Sequence, residues 1–168
     1  EGAAPDAITF LCNLKACSNM GSIEKGHEIH IDMEKRGLVR MDISLGNTLV
    51  DMYAKCGSLA SAGQVFEKLC VRNVVSWNAI ISGYANNVQG DDNNARVVFK
   101  EMLHVGIEPN TATFISILKC YSRMKDLWQG KVVHCHVREL DAGRDLLVMN
   151  TVMDMYMNCG SFVDAFHV

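Results

Sequence analysis

The sequence predicts an all-α protein, a solenoid of stacked helix–turn–helix units, and three observations lead there. The first is self-similarity. Shifted by 103 residues, Asn47, Met52, Tyr53, Cys56, Gly57, Ser58 and Ala62 fall on Asn150, Met155, Tyr156, Cys159, Gly160, Ser161 and Ala165. Shifted by 104, Thr9, Phe10, Leu14, Lys15, Ser18, Met20, Gly26 and His30 fall on Thr113, Phe114, Leu118, Lys119, Ser122, Met124, Gly130 and His134. Identity this dense at nearly one offset marks an array of small units that pack on their neighbours, with function expected along a surface rather than in one pocket. The second is helical spacing of apolar residues along most of the chain. The third is the scarcity of helix breakers, Pro5 and Pro109 being the two prolines.

The elements follow in order. Ile8, Leu11, Cys12 and Leu14 form a first apolar stripe that ends in a turn near Gly21 and Ser22. Ile23, Gly26, Ile29 and Met33 form a second, closed by Gly37, since glycine after the last periodic residue stops a helix. Leu45, Leu49, Met52 and Tyr53 lead into the turn Cys56-Gly57-Ser58, and Leu59, Ala62, Val65, Phe66 and Leu69 continue beyond it. Val74, Trp77, Ile80, Ile81 and Tyr84 come next. A short strand over Asn73–Trp77 is the alternative there, but Trp77, Ile80, Ile81 and Tyr84 have the i, i+3, i+4, i+7 spacing of a helix. The polar segment Asn86–Asn94 reads as a turn with a small insertion, followed by Ala95, Val98, Phe99, Met102 and Leu103. Each second helix carries a small residue where the first must approach closely.

Composition narrows the function. Of 168 residues 49% are hydrophobic, ample for a core, and the net charge is −3. That charge argues against strong non-specific nucleic-acid binding but leaves base reading by a few polar side chains open. Seven cysteines, with no C-x-x-C pair, argue against a disulfide scaffold and suit a reducing compartment. No signal peptide, transit-like start or run of 18 apolar residues is present, and no membrane partner is expected. The chain opens and stops inside repeated units, so it is expected to be a fragment of a longer protein.

Asn73-Val-Val-Ser-Trp-Asn-Ala-Ile-Ile-Ser-Gly-Tyr84, Asp51-Met-Tyr-Ala-Lys-Cys-Gly57, Thr9-Phe-Leu-Cys-Asn-Leu-Lys-Ala-Cys17 and Gly26-His-Glu-Ile-His30 resemble plant pentatricopeptide repeats of the subfamily that alternates standard, long and short units. The resemblance covers essentially the whole chain and implies a right-handed α-solenoid. On its pattern, residues 1–6 end a preceding repeat and 7–42 form a long repeat. Residues 43–73 form a short repeat, 74–110 a standard repeat with a two-residue insertion, 111–145 a long repeat, and 146–168 a truncated short repeat. The insertion departs from the family and is expected to lengthen the turn between the two helices of its unit.

The resemblance implies a single-stranded RNA partner read one base per repeat by a few side chains. The fifth residue of a unit and its last residue read the base, and the second sandwiches it. Carried over, the short unit offers Asn47 and Asn73 with Ser44, the standard unit Asn78 and Asn110 with Val75, and the truncated unit Asn150 with Leu147. Asparagine has both donor and acceptor, and in the family a pair of asparagines leans to cytidine over uridine. Two neighbouring pyrimidines, cytidine preferred, are therefore expected, with the 5′ base at the short unit. The competing role for Asn47, Asn78 and Asn150 is a helix cap or surface position; their shared register favours base reading. The long units carry Leu11 and Ile115 as fifth residues and Asp42 and Asp145 as last residues. An aliphatic chain cannot bond a base edge, so these units either skip a base or dock protein, and the family's long units imply organellar editing co-factors.

Lys55 and Arg123 share a register at the end of a first helix, where they would contact phosphate or serve as helix-end charges. His27, His30, His134 and His136 lack matched cysteine or carboxylate partners, and packing is the better reading than a metal. Cys17, Cys56 and Cys159 read as small packing residues. Trp77 sits at a core register; Trp128 is a weaker candidate for stacking on a base. No H-x-E with C-x-x-C, P-loop, G-x-S-x-G or G-x-G-x-x-G is present, so no enzyme activity and no cofactor are expected. The expected function is selection of a site in a chloroplast or mitochondrial transcript, most often for C-to-U editing, with a protein-docking scaffold as the alternative.

Overall fold

A computed structural model describes residues 6–87, 91–140, 143 and 145–168. Among these, helices are α1 Ala7–Met20, α2 Ile23–Lys35, α3 Leu38–Met41, α4 Ile43–Lys55, α5 Leu59–Lys68, α6 Val74–Asn86, α7 Asp92–His104, α8 Thr111–Met124, α9 Leu127–Glu139, α10 Leu146–Asn158 and α11 Phe162–Phe166. No strand occurs among the described residues, and none of the described helices is long and apolar enough to cross a membrane. Two compact units divide the chain, Glu1–Gly83 and Tyr84–Val168.

In the first unit α1 packs on α2 and α4, α4 on α5, and α3 on α4. The core is built from Phe10, Leu14 and Cys17 of α1, Leu45, Leu49 and Met52 of α4, and Val65 and Phe66 of α5. Trp77 is 2% exposed and meets Phe66 edge-on, with ring centroids 4.9 Å apart. In the second unit α8 packs on α7, α9 and α10 through Phe114, Ile117, Leu118 and Tyr121.

The sharp turns inside the pairs share one device. Gly21, Gly57 and Gly160 adopt positive φ of 66°, 81° and 77°. The next residue's N–H then bonds five residues back, as in Ser58 N to Tyr53 O at 2.9 Å and Ser161 N to Tyr156 O at 2.9 Å. Lys125 takes the same left-handed conformation at φ 56° and is the one non-glycine to do so among the described residues.

Residues that recur in the sequence make the same contacts in each unit. A Cβ on Gly26 would lie 2.5 Å from Met52 Sδ, and one on Gly130 would overlap Met155, so these glycines let the second helix approach the next first helix. Tyr53 Oη lies 2.9 Å from His30 Nδ1 and 3.0 Å from His27 Nδ1, and Tyr156 Oη lies 3.0 Å from His134 Nδ1. Cys56 Sγ approaches Cys17 O at 3.7 Å, and Cys159 Sγ approaches Tyr121 O at 3.9 Å. His27, His30 and His134 thus partner tyrosine hydroxyls. Of the cysteines, Cys17 and Cys120 are buried while Cys12, Cys70 and Cys135 are exposed.

One short element was not expected from the sequence, and one local expectation is corrected. The segment after Gly37 forms the short α3, anchored by buried Val39. The predicted turn Asn86–Asn94 is shorter than expected: Asn86 still belongs to α6, and α7 begins at Asp92. An acidic residue in the first turn suits the helix dipole, and Asn94 Nδ2 donates to Asp91 Oδ1 at 2.8 Å. Residues 88–90 of that turn lie outside the described residues.

Replacing Lys125 with glycine should remove the left-handed strain at the loss of one exposed hydrogen bond, Lys125 Nζ to Asn158 O. A net gain of about 0.5–1 kcal/mol is expected, read as a rise of roughly 2 °C in melting temperature. The histidines generate a second expectation. Burial holds the imidazoles of His30 and His134 below the ordinary 6.5, with Glu34 opposing the shift at His30. The unfolded chain therefore binds these protons more tightly. Their contribution to stability is present above 6.5 and is lost as pH falls through that value towards the folded ones. Melting temperature should drop between about pH 7.5 and about pH 5.5, and the double variant His30→Gln, His134→Gln should flatten the drop.

Candidate RNA-reading positions and their geometry

A helix leaves its first N–H groups without intrahelical partners, and the first helix of each pair meets this need with an Asp or Asn side chain. Asp6 Oδ1 accepts from Thr9 N at 2.8 Å, and Asp42 Oδ1 from Ser44 N at 2.8 Å and Leu45 N at 3.2 Å. Asn73 Oδ1 accepts from Val75 N at 3.0 Å and Ser76 N at 3.1 Å. Asn110 forms a reciprocal capping box with Thr113, and Asp145 Oδ1 accepts from Leu147 N at 2.9 Å. Asn73, Asn110, Asp42 and Asp145, expected from sequence as last residues of their repeats, are thus all helix caps.

Capping orients these side chains. Only an oxygen can accept from the helix N–H groups, so the Asn73 and Asn110 carbonyls face their helices and Nδ2 is turned away. An aspartate in the same place turns Oδ2 away. At Asp145 that second oxygen accepts from Thr111 Oγ1 at 3.1 Å.

Asn47 joins the Asn73 cap. It lies on α4 with 7% exposure, and its Nδ2 donates to Asn73 Oδ1 at 3.3 Å. Its Oδ1 accepts from Ser76 Oγ at 2.6 Å. Asn47 is therefore not a cap but the inner member of a buried amide–amide–hydroxyl network. Asn150 holds the corresponding place on α10 and is exposed; Asn78 is half-buried on α6. Ser44, Val75 and Leu147 are exposed, each beside its cap, because the cap oxygen bonds their own backbone N–H. Leu11 and Ile115 are half-buried.

The two cations differ. Lys55 is exposed and pairs with Asp51 of its own helix at 2.8 Å, a surface pair worth little and readily exchanged. Arg123 instead bonds Asp92 and the Ala85 carbonyl. The Asp92 side chain is 12% exposed, so this guanidinium compensates a buried carboxylate and its charge is already spoken for. Sequence reasoning missed Asp92, which lies 31 residues away, and also missed Ser76 and Thr113. For the last two a signal was present: a hydroxyl three residues after a capping Asn is the spacing of a reciprocal cap. Trp77 lies in the core and Trp128 is 73% exposed. Burial pushes the Cys120 thiol beside Arg123 up to about 12, which makes it inert packing.

Arg123→Leu should leave Asp92 buried and unpaired and lower stability by about 2 kcal/mol, less than for a fully buried pair, because the Arg123 side chain is 43% exposed. Chemical denaturation should show the loss, and Arg123→Leu with Asp92→Asn should recover part of it.

Known proteins resemble this chain in sequence and in fold. The family model described as PPR repeat family matches residues 72–123, and the PPR repeat model matches 14–38 and 47–74. A mitochondrial pentatricopeptide repeat-containing protein of Arabidopsis thaliana is 38% identical over 95% of this chain and 15% of its own length. A chloroplastic one from the same plant is 32% identical over 98% of this chain and 19% of its own length. The chain thus spans less than a fifth of these two relatives. The crystal structure of the pentatricopeptide repeat protein PPR10 from maize matches 98% of this chain and 24% of its own chain, with a TM-score of 0.75 and 26% identity. The structure of PPR10 in complex with an 18-nt psaJ RNA element matches with a TM-score of 0.72 at 18% identity, over 99% of this chain and 25% of that one. The fold is accordingly that of an all-α helical-repeat solenoid. The two repeat models together cover more than half of the sequence, and the chain belongs to the pentatricopeptide repeat family of plant type.

Proposed function

We propose that the chain is a base-reading segment of a single-stranded RNA-binding array that selects a site in an organellar transcript, for C-to-U editing. The observation that carries this is the capped orientation of the terminal asparagines. With Oδ1 held by the helix N–H groups, the amide of Asn73 is fixed with Nδ2, a donor, at the end opposite its cap, and Asn110 is capped in the same sense. A donor suits the N3 acceptor of cytosine and opposes the N3–H of uracil; an aspartate in the same place offers an acceptor and reverses the preference.

On this reading residues 43–73 and 74–110 act as successive repeats, with Asn47 and Asn73 serving the 5′ base and Asn78 and Asn110 the next. Ser44 and Val75 flank the bases, and Asn150 with Leu147 begins a third position. Lys55 supplies a phosphate contact; Arg123, committed to Asp92, does not. The similar protein PPR10 was crystallised with an 18-nt RNA element, and relatives are named mitochondrial or chloroplastic, which supports an organellar transcript as the partner.

The long repeats 7–42 and 111–145 take a different role. Leu11 and Ile115 have no group for a base edge, and the second oxygen of Asp145 is occupied. On α9, Trp128 is 73% and Val132 39% exposed, an apolar strip suited to a protein partner such as an editing co-factor.

Short single-stranded RNAs with CC, UU, GG or AA at the centre, titrated by fluorescence anisotropy at low salt, test the reading. CC should bind best, and Asn110→Asp should move the preference at the second base towards uridine. Equal binding of all four, or none, rejects base reading and leaves protein docking as the function.

A further inference from the structure

Beside the Asn47–Asn73 pair stands a hydroxyl that base contact does not account for. Ser76, third in α6, is fully buried at 0% exposure. Its single proton has two acceptors in range, Asn47 Oδ1 at 2.6 Å and Asn73 Oδ1 at 3.2 Å, and the shorter contact takes it. Its oxygen accepts in turn from the Asn73 N–H at 3.2 Å. An asparagine amide is nearly symmetric in shape and opposite in hydrogen-bonding sense at its two ends. Ser76 resolves that ambiguity for Asn47: the carbonyl faces the hydroxyl and Nδ2 faces Asn73.

The chain uses this hydroxyl selectively. Asn47 as a fifth residue is matched by Ser76 as the third residue of the next first helix. Leu11 and Ile115 as fifth residues are matched there by Leu45 and Val148, which have no hydroxyl. The hydroxyl accompanies the amide and is absent where there is no amide to orient.

We propose that Ser76 is a positioning residue for base selection, holding the Asn47 amide in the orientation that makes Asn47 and Asn73 a donor-presenting pair. This rests on the reading of that pair as base-contacting. A flipped Asn47 would set its carbonyl against Asn73 Oδ1, disturb the cap and present an acceptor that tolerates the N3–H of uridine. Loss of the hydroxyl should therefore blur the choice between cytidine and uridine rather than weaken binding to both alike.

The test uses the full chain and two single-stranded RNAs that differ only in carrying C or U at the 5′ base of the central pair. Wild type should favour C, and Asn73→Asp should move the preference to U. Ser76→Ala should cut the C-over-U ratio by roughly fivefold, the scale of one neutral hydrogen bond. Ser76→Thr, which keeps the hydroxyl and matches Thr9 and Thr113 at the corresponding positions, should retain the ratio. Thermal melting runs alongside. If Asn73→Asp shifts the preference while Ser76→Ala melts lower with an unchanged ratio, Ser76 is structural only and the inference is overturned with the base-reading pair intact. If Asn73→Asp shifts nothing, the base-reading assignment fails and the inference falls with it. Should Ser76→Ala not fold, Ser76→Cys, a weaker donor, is read against Ser76→Thr; a lower ratio supports the inference and an equal one overturns it.

Discussion

The unpaired N–H groups at the start of a helix are the constraint on which the rest depends. Asp6, Asp42, Asn73, Asn110 and Asp145 each cap a first helix through a side-chain oxygen, each contributing about 1 kcal/mol. Second helices use this device less: Ser22, Ser58 and Asp91 make no side-chain cap bond, while Asp126 caps α9. Because the cap consumes the oxygen that faces the helix, it also decides which atom faces away. On the proposed reading, stability and recognition share one side chain. The choice between Asn and Asp, nearly neutral for capping, inverts the hydrogen-bonding character of the exposed end.

The repeated identities in the sequence are the traces of repeated contacts. Gly26 and Gly130 are held by the approach of Met52 and Met155. His30 and His134 are held by the hydroxyls of Tyr53 and Tyr156, buried phenols of raised pKa that remain protonated. Each contact joins a second helix to the first helix of the following pair. A contact of that kind propagates an array, since every pair must meet the next in the same way.

Charge is arranged to be locally balanced. Lys55 pairs with Asp51, Lys68 with Glu34, Lys131 with Asp164 and Arg123 with Asp92. With a net charge of −3, little long-range attraction is available for a polyanion, and counterion release would contribute less than in a basic protein. Binding to RNA by such a surface would rest on contacts to bases, which places a premium on amides whose orientation is fixed beforehand.

Most of the fold was legible from spacing. Apolar periodicity located the helices, glycine marked the turns at Gly21, Gly57 and Gly160, and Trp77 declared itself a core residue by its register. These features are local: they depend on 3.6-residue periodicity and on the few residues that accept positive φ. Tertiary structure alone decided the rest. Asn47 became buried because Ser76 and Asn73, 29 and 26 residues away, close over it. Arg123 was taken by Asp92 because the α7–α8 packing leaves that carboxylate buried against it. Sequence by itself determined which chemical groups stand at each register. Which end of an amide faces outward, and which cation is already paired, was set by partners a whole repeat away, because hydrogen-bond direction depends on the neighbour that packing supplies.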